Sequence, residues 1–225
     1  MTLGLLHTSP VHVPVFDRLR EAEHPGLRLR HHVAEELLAR ARRAGPDAVA
    51  AGVRDALVRA AEGGGAEGGV AAVLCTCSTI GGVAEAVGAE AGVPVVRVDR
   101  PMAAAAVAAG SRIVVLATVA STVGPTSALV EEEARRVGRD VSVRAEVVDG
   151  AWARFEAGDS EGYAEGVARA VRGVRDADAI VLAQASMAAA ERLVPEVRAR
   201  VPVLSSPRLG LAAAVALAAR QRVVG

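Results

Sequence analysis

A strand-and-loop segment occurs twice in this chain of 225 residues, and this repeat constrains the fold more than any other feature. The first copy, residues 73–79, reads VLCTCST, and the second copy, residues 181–187, reads VLAQASM. The segments VPVV at 93–96 and VPVL at 201–204 repeat with the same offset of 108 residues. A gap-free repeat of this kind predicts two related halves. It also matches Cys77 of the first half with Ala185 of the second.

Apolar, strand-like runs alternate with helix-like stretches along both halves of the chain. The predicted strands are residues 3–7, 27–33, 70–76 and 93–98 in the first half, and 115–118, 141–148, 179–183 and 201–204 in the second. The stretches between them are rich in Ala, Glu and Arg and predict helices, which is typical of parallel sheets covered by helices. We therefore predict an α/β protein with two pseudo-symmetric, four-stranded parallel-sheet domains of the flavodoxin-like type, facing each other across a cleft.

The repeat also predicts the domain boundaries. We expect a first domain of residues 1–98 plus 206–225 and a second domain of residues 99–205. The glycine-rich run at 63–69 matches no phosphate-binding pattern and is interpreted as a linker. Ligands of open parallel sheets bind beyond the carboxyl ends of the strands. The site is therefore expected in the loops at 8–10, 77–82, 118–125 and 185–188.

Composition narrows the class of partner. The chain has 26 basic and 26 acidic residues, so no excess of positive charge indicates a nucleic-acid partner. It shows neither a basic-then-apolar leader nor an apolar run long enough to span a bilayer, so we expect no membrane partner and a cytoplasmic location. Cys75 and Cys77 are too close in sequence for a relaxed disulfide, and free thiols agree with a reducing compartment.

Cys77 is the predicted catalytic residue. It lies where a strand leads, through residues 77–82, into a helix predicted at 83–91. A helix start offers unpaired N–H groups and partial positive charge, which can bind a carboxylate and favour a thiolate. A thiolate there could remove or return a proton at a carbon next to a carboxylate. The alternative is an inert buried cysteine, which is the interpretation preferred for Cys75 inside the strand.

Histidines and aromatic residues supply further candidates. His7 ends the first strand and is a candidate second acid or base, because the ordinary pKa of histidine lies near neutrality. A histidine that is merely hydrogen-bonded at a loop remains the alternative. His31 and His32 have no Cys or carboxylate at a metal-like spacing, so no metal site is predicted. The aromatic residues after the sixth strand form either an apolar lid or the packing of a long connection: Trp152, Phe155 and Tyr163.

Two loop sequences resemble those of a known family. The CST at 77–79 resembles the Cys-Asn-Thr signature of the aspartate/glutamate racemase superfamily, and ATVASTV at 117–123 resembles the loop that opens its second domain. That superfamily includes amino-acid and hydantoin racemases, maleate isomerases and arylmalonate decarboxylases, and its members typically use cysteines without a cofactor. The resemblance implies that Cys77 is the first-domain cysteine. The residues it places at the substrate are Ser9, Ser78, Thr79, Thr118, Thr122, Ala185 and Ser186.

The chain departs from the family pattern at the second cysteine. With the offset of 108, Ala185-Ser186-Met187 stands where glutamate racemases have Cys-Thr-His, and the first strand ends in His7-Thr8-Ser9 and not in an Asp-Ser pair. We therefore expect a cofactor-independent enzyme that uses one thiol at the carbon α to a carboxylate of a small acid. An isomerase of the racemase type and a decarboxylase both fit. The alternative is a non-catalytic carboxylate-binding protein or sensor, and a homodimer is left open.

Overall fold

The computed structural model describes residues 1–62 and 69–224, with only the backbone described at 222–224. Apart from Gly69, the expected linker at 63–69 lies outside the described residues. The chain divides into two compact units. The first unit is Met1–Val98 together with the segment from Pro207 onward, and the second unit is Asp99–Ser206.

The strands and helices alternate as the sequence predicts. The strands are β1 (Thr2–His7), β2 (Arg28–Val33), β3 (Val70–Cys75), β4 (Val95–Arg97), β5 (Arg112–Ala117), β6 (Ser142–Val147), β7 (Ala179–Leu182) and β8 (Val203–Ser205). The helices are α1 (Val13–Glu23), α2 (Glu35–Ala44), α3 (Ala50–Ala61), α4 (Ser78–Val87), α5 (Arg100–Ala109), α6 (Val123–Arg136), α7 (Ala151–Glu156), α8 (Ser160–Gly173), α9 (Pro195–Arg198) and α10 (Ser206–Val224). Short 3-10 helices cover Pro10–His12, Pro46–Val49, Gly88–Ala91, Ala120–Thr122 and Ala185–Leu193.

Each unit contains one four-stranded sheet whose neighbouring strands are all parallel. The strand order is β2-β1-β3-β4 in the first unit and β6-β5-β7-β8 in the second. This is the order found at the start of flavodoxin-like sheets. The predicted α/β class with two four-stranded parallel sheets is confirmed. Within the described residues, no helix is long and apolar enough to cross a membrane.

The central strands are buried on both faces, which is why they read as nearly continuous apolar runs. In β1, Leu6 faces a core formed with α2, α3 and α4, while Leu3 and Leu5 face a second core that includes Phe16 of α1 and Leu211 of α10. The edge strand β2 carries no fully buried residue, and its positions are half-buried or exposed. Side-chain alternation along β1 therefore divides the first unit into two layers of packing.

The helix after β3 begins earlier than the sequence suggests. The prediction of a loop at 77–82 and a helix at 83–91 is wrong, because α4 starts at Ser78 and ends at Val87. Gly81 and Gly82, which indicated a loop, lie in its first turns against the buried side chain of Arg97. A Cβ on Gly81 would lie 3.1 Å from Nε of Arg97, so glycine lets the helix approach the end of β4.

Candidate functional site

Cys77 lies at the carboxyl end of the first-unit sheet, immediately before α4. Its backbone is extended (φ −108°, ψ 115°), and it is the N-cap residue of the helix. Its side chain is partly buried and contacts the core under α2, α3 and α4. Cys75, in contrast, is fully buried within β3. Of the two thiols, Cys77 is therefore the one accessible at a helix start that can bind an anion.

Two hydroxyl residues follow the thiol in the first turn of α4. Ser78 and Thr79 are both partly exposed and belong to the helix itself. The first turn of a helix offers N–H groups and partial positive charge that favour a carboxylate at this end of α4. Ser9 is partly exposed at the end of β1 and precedes the 3-10 turn Pro10–His12.

The strand register identifies the counterpart of Cys77 in the second unit. Leu6 of β1 pairs with Cys75, and Leu116 of β5 pairs with Leu182. Cys75 and Leu182 are therefore equivalent positions in the two units. The next residues are equivalent too, because N–H of Thr76 donates to the carbonyl of Leu6 and N–H of Ala183 donates to that of Leu116, both at 2.9 Å. One position further along, Cys77 corresponds to Gln184.

The expected gap-free repeat is therefore wrong between β3 and β7. Cys75 corresponds to Leu182, an offset of 107 residues, whereas Arg97 and Ser205, their respective partners on β4 and β8, keep an offset of 108. The second unit has one additional residue between these two strands. Ala185 consequently corresponds to Ser78 and not to Cys77; it is buried and begins a 3-10 helix where a loop was expected.

Gln184 holds the loop that follows β5. Its Oε1 accepts a hydrogen bond from N–H of Thr118 at 3.0 Å, and its Nε2 donates to Oγ1 of Thr122 at 3.1 Å. The hydroxyl of Thr122 donates in turn to the carbonyl of Val119 at 3.0 Å. A carboxamide neither gains nor loses a proton in the working pH range. The second unit thus has a fixed, non-titrating amide at the position equivalent to the thiol.

Tyr163 of α8 is a polar residue of this region that sequence reasoning did not identify as such. Its hydroxyl lies 2.8 Å from Oγ of Ser186 and 3.3 Å from Oγ1 of Thr118. Burial raises the pKa of Tyr163, and the hydrogen bonds with Ser186 and Thr118 offset only part of that effect. The phenol therefore stays protonated and links two of the predicted substrate-binding residues. Ser186 is partly exposed, while Thr118 is buried.

The aromatic residues pack inside the second unit, so the alternative of a packed connection is the one that the structure shows. The rings of Trp152 and Phe155 stack with centroids 5.0 Å apart, and those of Phe155 and Tyr163 lie 5.2 Å apart. Tyr163 is part of the apolar core, and Phe155 packs against it. The three rings come from α7 and α8, which follow one another in the chain and pack together.

His7, the candidate second acid or base, lies in the interior of the first unit. Its side chain is fully buried, and both ring nitrogens are hydrogen-bonded, Nδ1 to Thr76 and Nε2 to His31, each at 2.8 Å. Burial, aided by the charges of His31, His12 and His32, lowers the pKa of His7 to about 3. His7 is therefore neutral at ordinary pH and has no free nitrogen with which to reach a substrate.

A metal site and a cavity are the two other kinds of site to consider in the described part of the chain. Across residues 1–62 and 69–224, no group of three or more His, Cys, Asp and Glu side chains could hold a metal ion. A cavity of about 630 Å³ in the second unit is lined by residues that include Arg172, Arg175 and Arg200. It lies at the amino ends of β7 and β8, away from the strand ends that carry the predicted site.

Two flavodoxin-like units, each with one four-stranded parallel sheet, define a two-unit α/β protein. The model of the family described as Asp/Glu/Hydantoin racemase matches residues 17–214 of this sequence. The chain belongs to this family. No curated protein matches the sequence at a significant level.

Solved structures of racemases and a decarboxylase share the fold. An aspartate racemase from Picrophilus torridus is 16% identical with a TM-score of 0.66, covering 97% of this chain and 94% of its own. An allantoin racemase from Pseudomonas fluorescens is 21% identical with a TM-score of 0.63, covering 98% and 92%. An arylmalonate decarboxylase is 21% identical with a TM-score of 0.61, covering 97% and 92%. At these identities the likeness establishes the fold alone.

Proposed function

We propose that this protein is a cofactor-independent enzyme that transfers a proton at the carbon α to a carboxylate of a small acid, with Cys77 as its only reacting thiol. The observation that carries the proposal is the asymmetry between two equivalent positions. Cys77 is a partly buried thiol at the start of α4, and Gln184 is an amide whose oxygen and nitrogen are both hydrogen-bonded inside the second unit.

The start of α4 supplies the groups that hold the substrate carboxylate. N–H groups of the first turn of α4 and the hydroxyl of Thr79 provide donors next to the thiol, and the helix dipole favours negative charge there. The same donors stabilise the enolate that forms when the α carbon loses a proton or a carboxyl group. Ser9 and Ser186 are partly exposed and are the further oxygen-binding residues that family membership suggests.

The single thiol favours proton transfer to one face of the substrate carbon. In a decarboxylase-type reaction, the carbon–carboxyl bond breaks, carbon dioxide leaves, and the electron pair remains as an enolate. The thiol of Cys77 then donates its proton to the α carbon, and the thiolate regains a proton from solvent. An isomerase of the racemase type needs a second group to exchange protons on the opposite face, and Gln184 cannot serve as that group.

A substrate panel tests this proposal directly. Purified protein is incubated with aryl- and alkylmalonates, α-amino acids, hydantoins and maleate, and product is followed by carbon dioxide release, chiral chromatography and ultraviolet absorbance. We expect turnover of at least one carboxylate by the wild type and its loss in Cys77→Ala, with an unchanged thermal melting temperature. Full turnover by folded Cys77→Ala would contradict the role of the thiol.

A binding protein is the second candidate, and Gln184 is the observation that favours it. The residue that could complete a pair of acid–base groups is a saturated amide, as expected of a family member that binds its ligand without converting it. This candidate predicts that a carboxylate from the panel raises the melting temperature equally in wild type and Cys77→Ala, and that no product forms with either.

A further inference from the structure

An unbroken series of hydrogen bonds joins the strand end beside Cys77 to the protein surface. The hydroxyl of Thr76 lies 2.8 Å from Nδ1 of His7, and Nε2 of His7 lies 2.8 Å from Nδ1 of His31. Nε2 of His31 then lies 3.3 Å from Oδ1 of Asp17 on α1. Three side chains, from β1, β2 and α1, together with the loop residue Thr76 at the inner end, therefore act as one chain of donors and acceptors.

Burial changes steadily along this series. Thr76 and His7 are buried, the side chain of His31 is 17% exposed, and that of Asp17 is 40% exposed. The inner end is therefore shielded from water, and only the outer end can exchange protons with it. Buried polar groups cost free energy when they lack a partner, and a fully hydrogen-bonded series instead holds its members in fixed orientations.

We propose that Asp17 and His31 are positioning residues, which fix the orientation of the Thr76 hydroxyl through His7 and so set the conformation of the strand end that carries Cys77. The inference deepens the function proposed above and rests on it, because it assigns the residues that prepare Cys77 for reaction. It assigns no contact between the substrate and Asp17, His31 or His7.

Counting donors shows that the series has two arrangements. When both histidines are neutral, the Thr76 hydroxyl donates to Nδ1 of His7, Nε2–H of His7 donates to Nδ1 of His31, and Nε2–H of His31 donates to Asp17. Every bond in this arrangement points outward, from the strand end to the surface. The backbone carbonyl of Leu6 then receives only the N–H of Thr76.

One added proton on His31 reverses two of these bonds. A doubly protonated His31 donates from Nδ1 to His7 and from Nε2 to Asp17, so His7 must accept at Nε2 and carry its proton on Nδ1. Nδ1–H of His7 then donates to Thr76, whose hydroxyl donates to the carbonyl of Leu6, 3.1 Å away. The threonine side chain thus switches its acceptor when the outer histidine gains a proton.

The charged groups around the series place the carboxylate of Asp17 beside His31, where it can pair with an added proton. His7 is surrounded by His12, His31 and His32 and is fully buried, so it resists protonation. His31 faces the carboxylate of Asp17, which also lies 3.9 Å from the guanidinium of Arg20. On the other face of the sheet, the electrostatic environment of His32 includes Arg59 and Glu36. Of these histidines, His31 is the one with an ion-pair distance to a carboxylate.

The consequence for Cys77 follows from its place in the chain. Thr76 is the residue immediately before Cys77, and its amide and its hydroxyl both lie within hydrogen-bonding distance of Leu6 of β1. When the hydroxyl leaves Leu6 for His7, one of the two bonds from Thr76 to Leu6 is lost. A hydrogen bond of this kind alters a rate by about tenfold when it positions a reacting group.

The test follows the reactivity of Cys77 itself, by mass-spectrometric measurement of its iodoacetamide alkylation rate from pH 5 to pH 9. We expect the wild-type rate to show a step at the pH at which the imidazole NMR signals of His31 titrate, in addition to the rise caused by thiol ionisation. His31→Asn removes the step, and Asp17→Asn, which keeps the shape but removes the anionic partner of His31, changes it.

His32→Asn is the matched control, because His32 lies on the same strand and packs on the opposite face. It should keep the step. Asp17→Asn also serves if His31→Asn does not fold, since Asp17 is the most exposed member and its shape is preserved. A step that persists in His31→Asn, or a wild-type profile with no step at all, would overturn the inference.

Turnover separates a failure of this inference from a failure of the proposed function. If Cys77→Ala is inactive and His31→Asn leaves the alkylation profile unchanged, the function stands and the positioning role falls. If Cys77→Ala keeps full turnover while His31→Asn abolishes the step, the hydrogen-bond series exists but the proposed function is wrong.

Discussion

Cys77 and Gln184 occupy equivalent positions in the two units: each follows the third strand of its unit by two residues and caps the helical segment that comes next. Both have extended backbone, with φ of −108° and −113°. The thiol of Cys77 is partly buried, whereas the amide of Gln184 is used for internal hydrogen bonds. The reaction we propose is therefore asymmetric, because one unit has a thiol where the other unit has an amide.

Replacing Gln184 tests its structural role. We expect Gln184→Ala to lower the free energy of unfolding by about 1–3 kcal/mol, because N–H of Thr118 and the hydroxyl of Thr122 both lose a hydrogen-bond partner. Gln184→Glu keeps the acceptor for Thr118 and should lose less. Urea denaturation followed by circular dichroism measures both, and an Ala variant as stable as the wild type would show that these bonds contribute nothing.

The order of strands could be predicted from the sequence, but the register of the repeat could not. Apolar runs such as residues 70–76 reveal buried parallel strands because both of their faces are covered. The one extra residue between β7 and β8 leaves the VPV segments at the same spacing and so conceals the shift at Gln184. Only the pairing of Leu182 with Leu116, fixed by long-range hydrogen bonds, exposes it.

The same limit applies to the start of α4 and to His7. Gly81 and Gly82 indicate a loop when read locally, and their contact with Arg97 comes from a strand that follows later in the chain. His7 has the residue type of an acid or base, but its partners Thr76 and His31 are 69 and 24 residues away. Local sequence patterns carry no information about such contacts.

The ionisation of Tyr163 can be measured by absorbance without overlap from other tyrosines, because it is the only tyrosine of the chain. Burial raises its pKa above the ordinary value of 10.0, so we expect ionisation to begin only at higher pH than in free tyrosine. Absorbance of the folded protein near the phenolate maximum measures this directly. Ionisation at or below the ordinary value would mean that the hydroxyl is exposed to water.

His7 predicts how stability depends on pH. Its pKa is 6.5 when unfolded and about 3 when folded, so the unfolded state binds more protons as the pH falls through this interval. Stability contributed by neutral His7 is therefore complete above pH 6.5 and decreases below it, by at most about 1.4 kcal/mol per pH unit. Between pH 6.5 and 5, we expect His7→Gln to show a smaller slope in urea denaturation. Parallel slopes would contradict the neutral, buried state of His7.

Thr126 of α6 is buried with an unsatisfied hydroxyl. Among the described residues, its Oγ1 has no hydrogen-bond partner. Thr126→Val keeps the branched shape and removes the polar atom, so we expect the free energy of unfolding to rise by about 1 kcal/mol. Thr122→Val is the contrasting variant, because its hydroxyl donates to Val119 and accepts from Gln184, and it should be destabilising. If both changes destabilise equally, Thr126 has a partner such as a bound water.

The most direct test of the central claim is the incorporation of solvent deuterium at the α carbon of a carboxylate substrate in D2O. Wild type and Cys75→Ser are compared with Cys77→Ser, each shown to be folded by its melting temperature. We predict that product from the wild type and Cys75→Ser carries one deuterium at that carbon, and that Cys77→Ser yields none above the uncatalysed rate. Deuterium incorporation by Cys77→Ser at the wild-type rate would contradict the claim that this thiol transfers the proton.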